Sequence, residues 1–382
     1  MRLLKRTVSL FIAGLACLSL LGGCDDTSYA AQSGEKKYPT SVYAYYAYYT
    51  RDYYETVFRN YGISDISDIL TEEISQGVPL YSMITDYAKS QYLSYVIIND
   101  KFDELGLSLS DETTEKIEED LNTQYVDVYG EESLADICRT LGLSGNELKN
   151  IVATPYKSEA IMDYFFGEGG EHEITEEQKR KVYESDYSRF KYIVIGKIDS
   201  EGNTLPTSEL MKKMELAQEA YDKALSGEDF EDLIKEYSED YYKISEDLEE
   251  DTKESYEASN KVMTEDGVIT DKSGIIDYNT YRYYGYTLDS AVVDKLFSMD
   301  EDAVAMVEVK NAFWIIKKFE KYSDPKYYQS KENLIYSGIA TPISEELMSK
   351  WKNAMNITFN SAVVNKYDPR KIKSLFITKI KQ

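Results

Sequence analysis

The chain has 382 residues and a formal net charge of −26, with 36 tyrosines and a single histidine. So acidic a surface repels phosphate backbones and anionic lipid headgroups, which argues against nucleic-acid binding and against electrostatic docking to membranes. A hydrophobic content of 42% is enough to build packed cores over a length that suits two or three domains.

The beginning of the chain resembles a bacterial lipoprotein leader. Arg2, Lys5 and Arg6 precede a short apolar run that ends in Leu-Leu-Gly-Gly-Cys at residues 20–24. A charged start, an apolar middle and small residues before a cleavage site are typical of a secretory signal. The Leu-Gly-Gly-Cys site is similar to a lipobox, which implies a signal peptide over 1–23 and a diacylglyceryl group on Cys24. We therefore predict an extracytoplasmic protein that two acyl chains hold at the membrane surface.

The next segments predict a tether and then a helical unit. Residues 24–41 are small, polar and aperiodic, which is typical of a flexible tether. A tyrosine-dense stretch over 42–61 is followed by Gly62, a residue suited to end a helix. A second, longer helix ending at Gly106 is predicted by apolar residues at helical spacing: Ile84, Ala88, Tyr95, Ile98, Phe102 and Leu105.

Three helix starts are predicted by capping signals. Ser110 precedes two acidic residues that suit the first turn of a helix. Ser144 with Glu147, and Thr175 with Gln178, match the capping box, in which two side chains satisfy each other's backbone amides. Residues 42–188 therefore predict an all-helical unit.

From Phe190 the pattern becomes mixed, and at Pro325 it returns to helix. The predicted elements are a strand over 190–195, helices over 209–225 and 230–237, a short strand at Ile275–Ile276, a helix over 288–297, a hairpin of 303–308 with 313–319, and a strong helix over 343–359. Residues 241–272 are acidic and weakly periodic, so we predict an exposed insertion there.

The order of these segments resembles extracytoplasmic foldases of the PrsA/SurA type. The resemblance rests on the helical run GLSGNELKNIVATPYKSEAIMDYFF, on ITEEQKRKVYE before the first strand, and above all on AQEAYDKALSGEDFEDLIKEYSED, residues 217–240. It implies an α+β fold in which a mostly helical SurA/PrsA-like chaperone domain carries an inserted parvulin-like α/β domain. The implied domains are the helical segment 42–188, the parvulin-like segment 189–322 with its acidic insertion 241–272, and a C-terminal helical segment 323–382 that packs on the first.

The same resemblance implies where a peptidyl-prolyl isomerase site would lie. Tyr192 and Trp314 fall at the positions of the two histidines that parvulins carry. Asp240 falls after the second helix, where parvulins carry a cysteine or an aspartate. The apolar proline pocket would fall at Leu288, Val292 and Phe297. The only histidine, His172, precedes the first strand, so no histidine pair can form. We therefore expect the isomerase to be weak or inactive.

These observations favour a binding protein over an enzyme. The leading hypothesis is a chaperone that holds unfolded exported polypeptides, anchored to the outer face of a cell membrane, as expected for a Gram-positive bacterium. An active isomerase and a surface lipoprotein with an adhesion or envelope-assembly role are the alternatives. We expect no cofactor and no metal, because the mature chain keeps one histidine and one free thiol, Cys138. The sequence does not identify the clients or the oligomeric state, which could be a dimer. It also leaves open whether the tyrosines of 43–54 contact clients or fill the core.

Overall fold

A computed structural model describes residues 27–75, 77–275 and 287–380, so Cys24 and the lipobox lie outside the described residues. The strands are β1 (Tyr29–Ser33), β2 (Lys36–Pro39), β3 (Glu73–Ser75), β4 (Val78–Pro79), β5 (Tyr187–Gly196), β6 (Val268–Asp271), β7 (Val304–Glu308), β8 (Ala312–Phe319) and β9 (Thr358–Phe359). The helices are α1 (Thr40–Arg59), α2 (Leu80–Glu104), α3 (Asp111–Leu121), α4 (Asp127–Tyr129), α5 (Glu131–Leu141), α6 (Gly145–Phe166), α7 (Glu176–Asp186), α8 (Thr207–Leu225), α9 (Phe230–Tyr237), α10 (Glu250–Lys261), α11 (Ser290–Ser298), α12 (Pro325–Met355) and α13 (Ser361–Lys366).

The chain divides into two compact units, and its fold class is α+β. The helical unit comprises the described residues up to Glu173 and from Thr341 on, and the mixed unit comprises Ile174–Ala340. The described strands pair only in antiparallel fashion, so the mixed unit combines helices with an antiparallel sheet, in agreement with the predicted α+β class. No helix in the described part of the chain combines the length and apolar character that a bilayer crossing requires.

Most predicted elements are confirmed, because local signals fix them. Both capping boxes form, at Ser144–Glu147 and at Thr175–Gln178, and the Ser110 side chain accepts from the backbone of Thr113. The helix predicted over 230–237 is α9, and the predicted hairpin is β7 with β8. The helix predicted over 343–359 is wrong at its end, because α12 stops at Met355 and Phe359 lies in β9.

The beginning of the described chain is a β-hairpin where the sequence predicted a flexible tether. β1 pairs with β2 and also with β9, and Ala30, Ala31 and Tyr38 are buried in the core of the helical unit. Gly34 turns the hairpin with a φ of +57°, a conformation that glycine adopts without steric cost. The prediction failed because a strand this short and polar has too few residues to show periodicity.

The core of the helical unit is built around α1. Val42, Tyr43, Ala44 and Ala47 of this helix are at most 3% exposed. The Tyr43 ring meets Tyr92 of α2 edge to face, with ring centroids 5.5 Å apart. Such aromatic pairs add about 1 kcal/mol to the free energy gained from burying their area.

A buried carboxylate of α1 fixes the C-terminal segment to this core. Asp52 is 3% exposed, and its Oδ2 accepts the backbone N–H groups of Leu375, Phe376 and Ile377 at 2.9, 2.6 and 3.3 Å. Burial raises the pKa of Asp52, whereas the three backbone donors lower it. Consecutive amides that converge on one anion form a backbone nest, and this nest keeps Leu375 and Phe376 in the core.

The mixed unit is a four-stranded antiparallel sheet in the order β6-β5-β8-β7, with α8, α9 and α11 packed against its strands. Nearly all of β5 is buried, and the hydrophobic core contains five of its residues, Phe190, Tyr192, Ile193, Val194 and Ile195, together with Trp314, Ile315 and Ile316 of β8. At Ile275 the structure has only an isolated bridge to Thr287, and Ile276 lies outside the described residues.

The unit boundaries differ from those predicted at 188/189 and 322/323. The mixed unit already includes α7 and ends inside α12, one residue before Thr341. Tyr183 of α7 forms a small buried cluster with Tyr328 and Ile335 of α12, which explains why both segments belong to this unit. Helical propensity alone does not reveal which core a helix packs on. The prediction therefore assigned α7 to the helical unit, whereas it belongs to the mixed unit.

The acidic segment 241–272 was predicted to be an exposed insertion and is ordered into elements. It contains α10, a π-helical turn over Val262–Asp266, and β6, which forms the edge of the sheet. Met263, Val268 and Thr270 are buried. The prediction failed because these few apolar positions are scattered among many acidic residues and give no clear periodicity.

We predict that Asp52→Ala lowers the free energy of unfolding of the helical unit by about 3 kcal/mol, because three buried amides lose their acceptor. Urea unfolding followed by Trp351 emission in a Trp314→Phe background reports on this unit alone, since Trp351 is then the remaining tryptophan. Asp103→Ala, which removes an exposed carboxylate from α2, should change stability by less than ~0.5 kcal/mol. Equal unfolding midpoints for the two variants would contradict the role assigned to Asp52.

Candidate functional site

Tyr192 and Trp314 lie side by side on one face of the mixed-unit sheet. In the register of β5 and β8, Val194 is opposite Trp314 and Tyr192 is opposite Ile316. Tyr192 and Trp314 are therefore diagonal neighbours on one face, and their ring centroids are 5.0 Å apart.

Asp240 reaches the same place because the chain after α9 runs along β5. Val194 donates its N–H to Ser238 Oγ at 3.2 Å, and Glu239 N–H donates to Val194 O at 2.9 Å. Tyr192 Oη donates to Asp240 Oδ2 at 3.5 Å, at the long limit for a hydrogen bond. The structure thus brings together all three residues that the resemblance singled out.

This cluster is buried. Tyr192, Trp314 and Asp240 are 0%, 1% and 1% exposed, so a peptide cannot touch them without displacing what covers them. Groups so packed contribute to the core and can also act as hydrogen-bond donors, through the phenol and the indole N–H.

The predicted proline-pocket residues are mostly part of the same core. Leu288 and Val292 are 4% and 0% exposed, whereas Phe297 is half-buried. As packed here, only Phe297 of the three presents appreciable surface to solvent.

His172 belongs to the helical unit, whereas the residues above belong to the mixed unit. Its ring centroid is 6.2 Å from that of Phe165 and 6.1 Å from that of Phe166. No cluster of histidine, cysteine and acidic side chains in the described part of the chain has the geometry to hold a metal ion. Cys138 is buried, which raises the pKa of its thiol to about 11.

A second candidate site is an open cleft of about 580 Å³ in the helical unit. We call it the tyrosine cleft, because seven of its lining residues are tyrosines. It is lined by Tyr45, Tyr46, Tyr49, Thr50, Tyr53, Tyr87, Gln91, Asp120, Gln124, Tyr125, Ile151, Val152, Pro155 and Tyr156. These residues come from α1, α2, α3, α6 and the π-helical turn Asn122–Val126.

Helix α1 divides its tyrosines between the core and the cleft. Tyr45, Tyr49 and Tyr53 follow one another at four-residue spacing and so line one face of the helix. Tyr45 is 4% exposed at the floor, whereas Tyr49 and Tyr53 are 52% and 53% exposed at the rim. Tyr43 points into the core. The structure thus separates buried from exposed tyrosines within the stretch 43–54.

Hydrogen bonds fix the opposite wall. The π-helical turn places Tyr125 so that its hydroxyl lies 2.7 Å from that of Tyr45. Tyr156 Oη donates to Asp120 Oδ2 at 2.8 Å. Single π-helical turns occur often at functional sites, and this one orients a lining residue.

Burial keeps two phenols of the cleft, those of Tyr45 and Tyr125, neutral at physiological pH. Burial raises the pKa of Tyr45 well above its ordinary value and that of Tyr125 to about 12. The hydrogen bond to Asp120 raises the pKa of Tyr156. The cleft therefore offers aromatic faces and hydroxyls that both donate and accept, with Asp120 as the only charged group among its lining residues.

Sequence reasoning found the tyrosines of α1 but missed the rest of the cleft. Tyr87, Asp120 and Tyr156 come from three other helices, and their meeting depends on the packing of those helices. The one available signal was the spacing of Tyr45, Tyr49 and Tyr53, which continues on one helical face beyond the buried part.

No protein-family model and no curated protein matches the chain. Among solved structures it is similar to the foldase protein PrsA of Streptococcus pneumoniae, at 17% identity over 76% of this chain and 94% of that one, with a TM-score of 0.28. It is also similar to PrsA of Bacillus subtilis (17% identity, 79% and 91% coverage, TM-score 0.23) and of Lactococcus lactis (13% identity, 90% and 99% coverage, TM-score 0.31). TM-scores this low do not establish a shared fold, so the function proposed below rests on the chain's own residues.

Proposed function

We propose that this protein is an extracytoplasmic chaperone that holds segments of unfolded exported polypeptides in the tyrosine cleft. The observation that carries the proposal is the set of half-exposed rings at the rim: Tyr49, Tyr53 and Tyr87 are 52%, 53% and 46% exposed. Large aromatic rings grouped on one open surface are typical of binding sites.

Tyrosine suits a chaperone that must accept many sequences. Its ring offers a large contact area with few rotatable bonds, and its hydroxyl tolerates water when no client is bound. Neutral phenols can also bond the exposed backbone of an extended chain as donors or acceptors. The cleft is open, so a chain segment can enter from the side.

We predict that Tyr53→Ser with Tyr87→Ser weakens binding of a permanently unfolded client about tenfold, because two aromatic contacts of ~0.5–1.5 kcal/mol each are lost. Fluorescence anisotropy of a labelled, reduced and alkylated client measures the affinity, and light scattering measures suppression of aggregation.

The matched control is Tyr61→Ser with Tyr164→Ser, since these tyrosines are 80% and 49% exposed but do not line the cleft. It should bind as the unmodified chain does. Equal weakening by both pairs would argue against the cleft. Full binding by both pairs would also argue against the cleft. No client binding and no aggregation suppression by the unmodified chain would favour an adhesion or envelope-assembly lipoprotein.

The lipid anchor is the second part of the proposal, and the Leu-Gly-Gly-Cys site supports it. We expect mass spectrometry of the membrane fraction to find the mature N-terminus at Cys24 with a diacylglyceryl group. Cys24→Ala should release the protein or halt its processing. An unlipidated N-terminus elsewhere would refute the anchor.

An active peptidyl-prolyl isomerase is the second candidate, because Tyr192, Asp240 and Trp314 do come together. Their burial and the lack of a histidine pair argue for turnover near background, since acid–base and hydrogen-bond support typically contributes ~10²–10⁴-fold in rate. We predict that a proline-peptide isomerisation assay detects little activity, with no change in Asp240→Asn. Efficient turnover that Asp240→Asn abolishes would make the isomerase the main function.

A further inference from the structure

We propose that the tyrosine cleft selects client segments in which an arginine or lysine stands among apolar residues. This inference rests on the chaperone function proposed above and names the chemistry of the preferred segment.

The first support is the charge of the cleft. Of its fourteen lining residues only Asp120 carries a charge, and none is a lysine, arginine or histidine. Asp120 forms no ion pair with any residue in the described part of the chain. The one described hydrogen bond to its carboxylate comes from Tyr156, a neutral donor, so a cation brought by a client meets a carboxylate that has no cationic partner.

The second support is the charge around that carboxylate. Asp120, Glu159 and Glu119 all raise the pKa of Tyr156, so three carboxylates act on that phenol, and Lys116 of α3 interacts with one of them, Glu159. The lysines of α6 are engaged elsewhere: Lys149 pairs with Glu118, and Lys157 Nζ donates to Asn99 Oδ1 and Asn150 Oδ1, each at 2.6 Å.

The third support is the ring geometry. Tyr49, Tyr53 and Tyr87 present half-exposed rings at the rim, and a guanidinium or ammonium over a tyrosine face is attracted by the ring quadrupole. The aliphatic stem of arginine or lysine packs on such rings while its charged head stays in a polar setting. A cationic side chain therefore matches both the rings and the carboxylate.

A buried hydroxyl in the cleft also lacks a partner. Thr50 is 1% exposed and lines the cleft, and its Oγ1 has no hydrogen-bond partner among the described residues. Buried polar atoms are nearly always paired. Since this oxygen is covered, a backbone group of a bound segment can reach it only if the side chains over it move.

Other segments fit less well. An acidic segment would bring a like charge to Asp120, and a wholly apolar segment would desolvate that carboxylate without compensation. Both effects make the cleft bind a cationic segment more tightly than an acidic or a wholly apolar one. They do not remove the affinity of the tyrosine rings for aromatic and apolar residues.

The test uses the mature chain and three peptides that share one apolar scaffold and a neutral dye, with arginine, citrulline or glutamate at the centre. Anisotropy should show the arginine peptide binding roughly fivefold more tightly than the citrulline peptide, and the glutamate peptide most weakly. Asp120→Asn should abolish the difference in affinity between the arginine and citrulline peptides. The asparagine side chain still accepts from Tyr156, so the fold should be preserved.

Asp111→Asn is the matched control, because it removes one charge from the other end of α3, outside the cleft; it should keep the full preference. Equal affinities for the three peptides, all weakened by Tyr53→Ser with Tyr87→Ser, would overturn the inference and leave the proposed function standing. Affinities that neither the tyrosine variants nor Asp120→Asn change would overturn both.

Discussion

The helical unit depends on the carboxylate of Asp52, which three consecutive amides of the C-terminal segment surround in the interior. Such hydrogen bonds stabilise a buried charge, although all three reach Oδ2 and the second oxygen, Oδ1, has no hydrogen-bond partner among the described residues. The neighbouring Arg51, 2% exposed, donates to Glu55 and to Ser374, so the helix and the segment share one polar network. This network joins residues more than three hundred positions apart and fixes the orientation of α1.

The orientation of α1 decides what its tyrosines do. With Asp52 turned toward the C-terminal segment, Tyr43 faces the core, and Tyr49 and Tyr53 face the cleft. Phe376, held by the same carboxylate, packs edge to face on Tyr45 and Tyr49, with centroids 5.5 and 6.0 Å away. One face of α1 therefore packs in the core and another face lines the cleft. Because the core fixes the helix, the cleft can stay rigid while its rim is exposed to water.

Local signals predicted the elements well, because capping boxes and apolar spacing act within a few residues. They failed where long-range contacts decide. β1 pairs with β9, β6 pairs with β5, and α7 packs on Tyr328 of α12. Each of these partners lies far away along the chain. Tyr192, Asp240 and Trp314 were predicted as a group through a resemblance, yet their burial could not be predicted. Asp120 and Tyr156 lie on different helices, α3 and α6, so their contact depends on how these helices pack and could not be predicted from local signals.

The central claim is that clients bind at the tyrosine cleft and not at the buried cluster of the mixed unit. Hydrogen–deuterium exchange of the mature chain, with and without a permanently unfolded client, tests it most directly. The account predicts slower exchange around Tyr53, Tyr87 and the π-helical turn Asn122–Val126, with β5 and β8 unchanged. Protection confined to the segments that carry Tyr192 and Asp240 would contradict it.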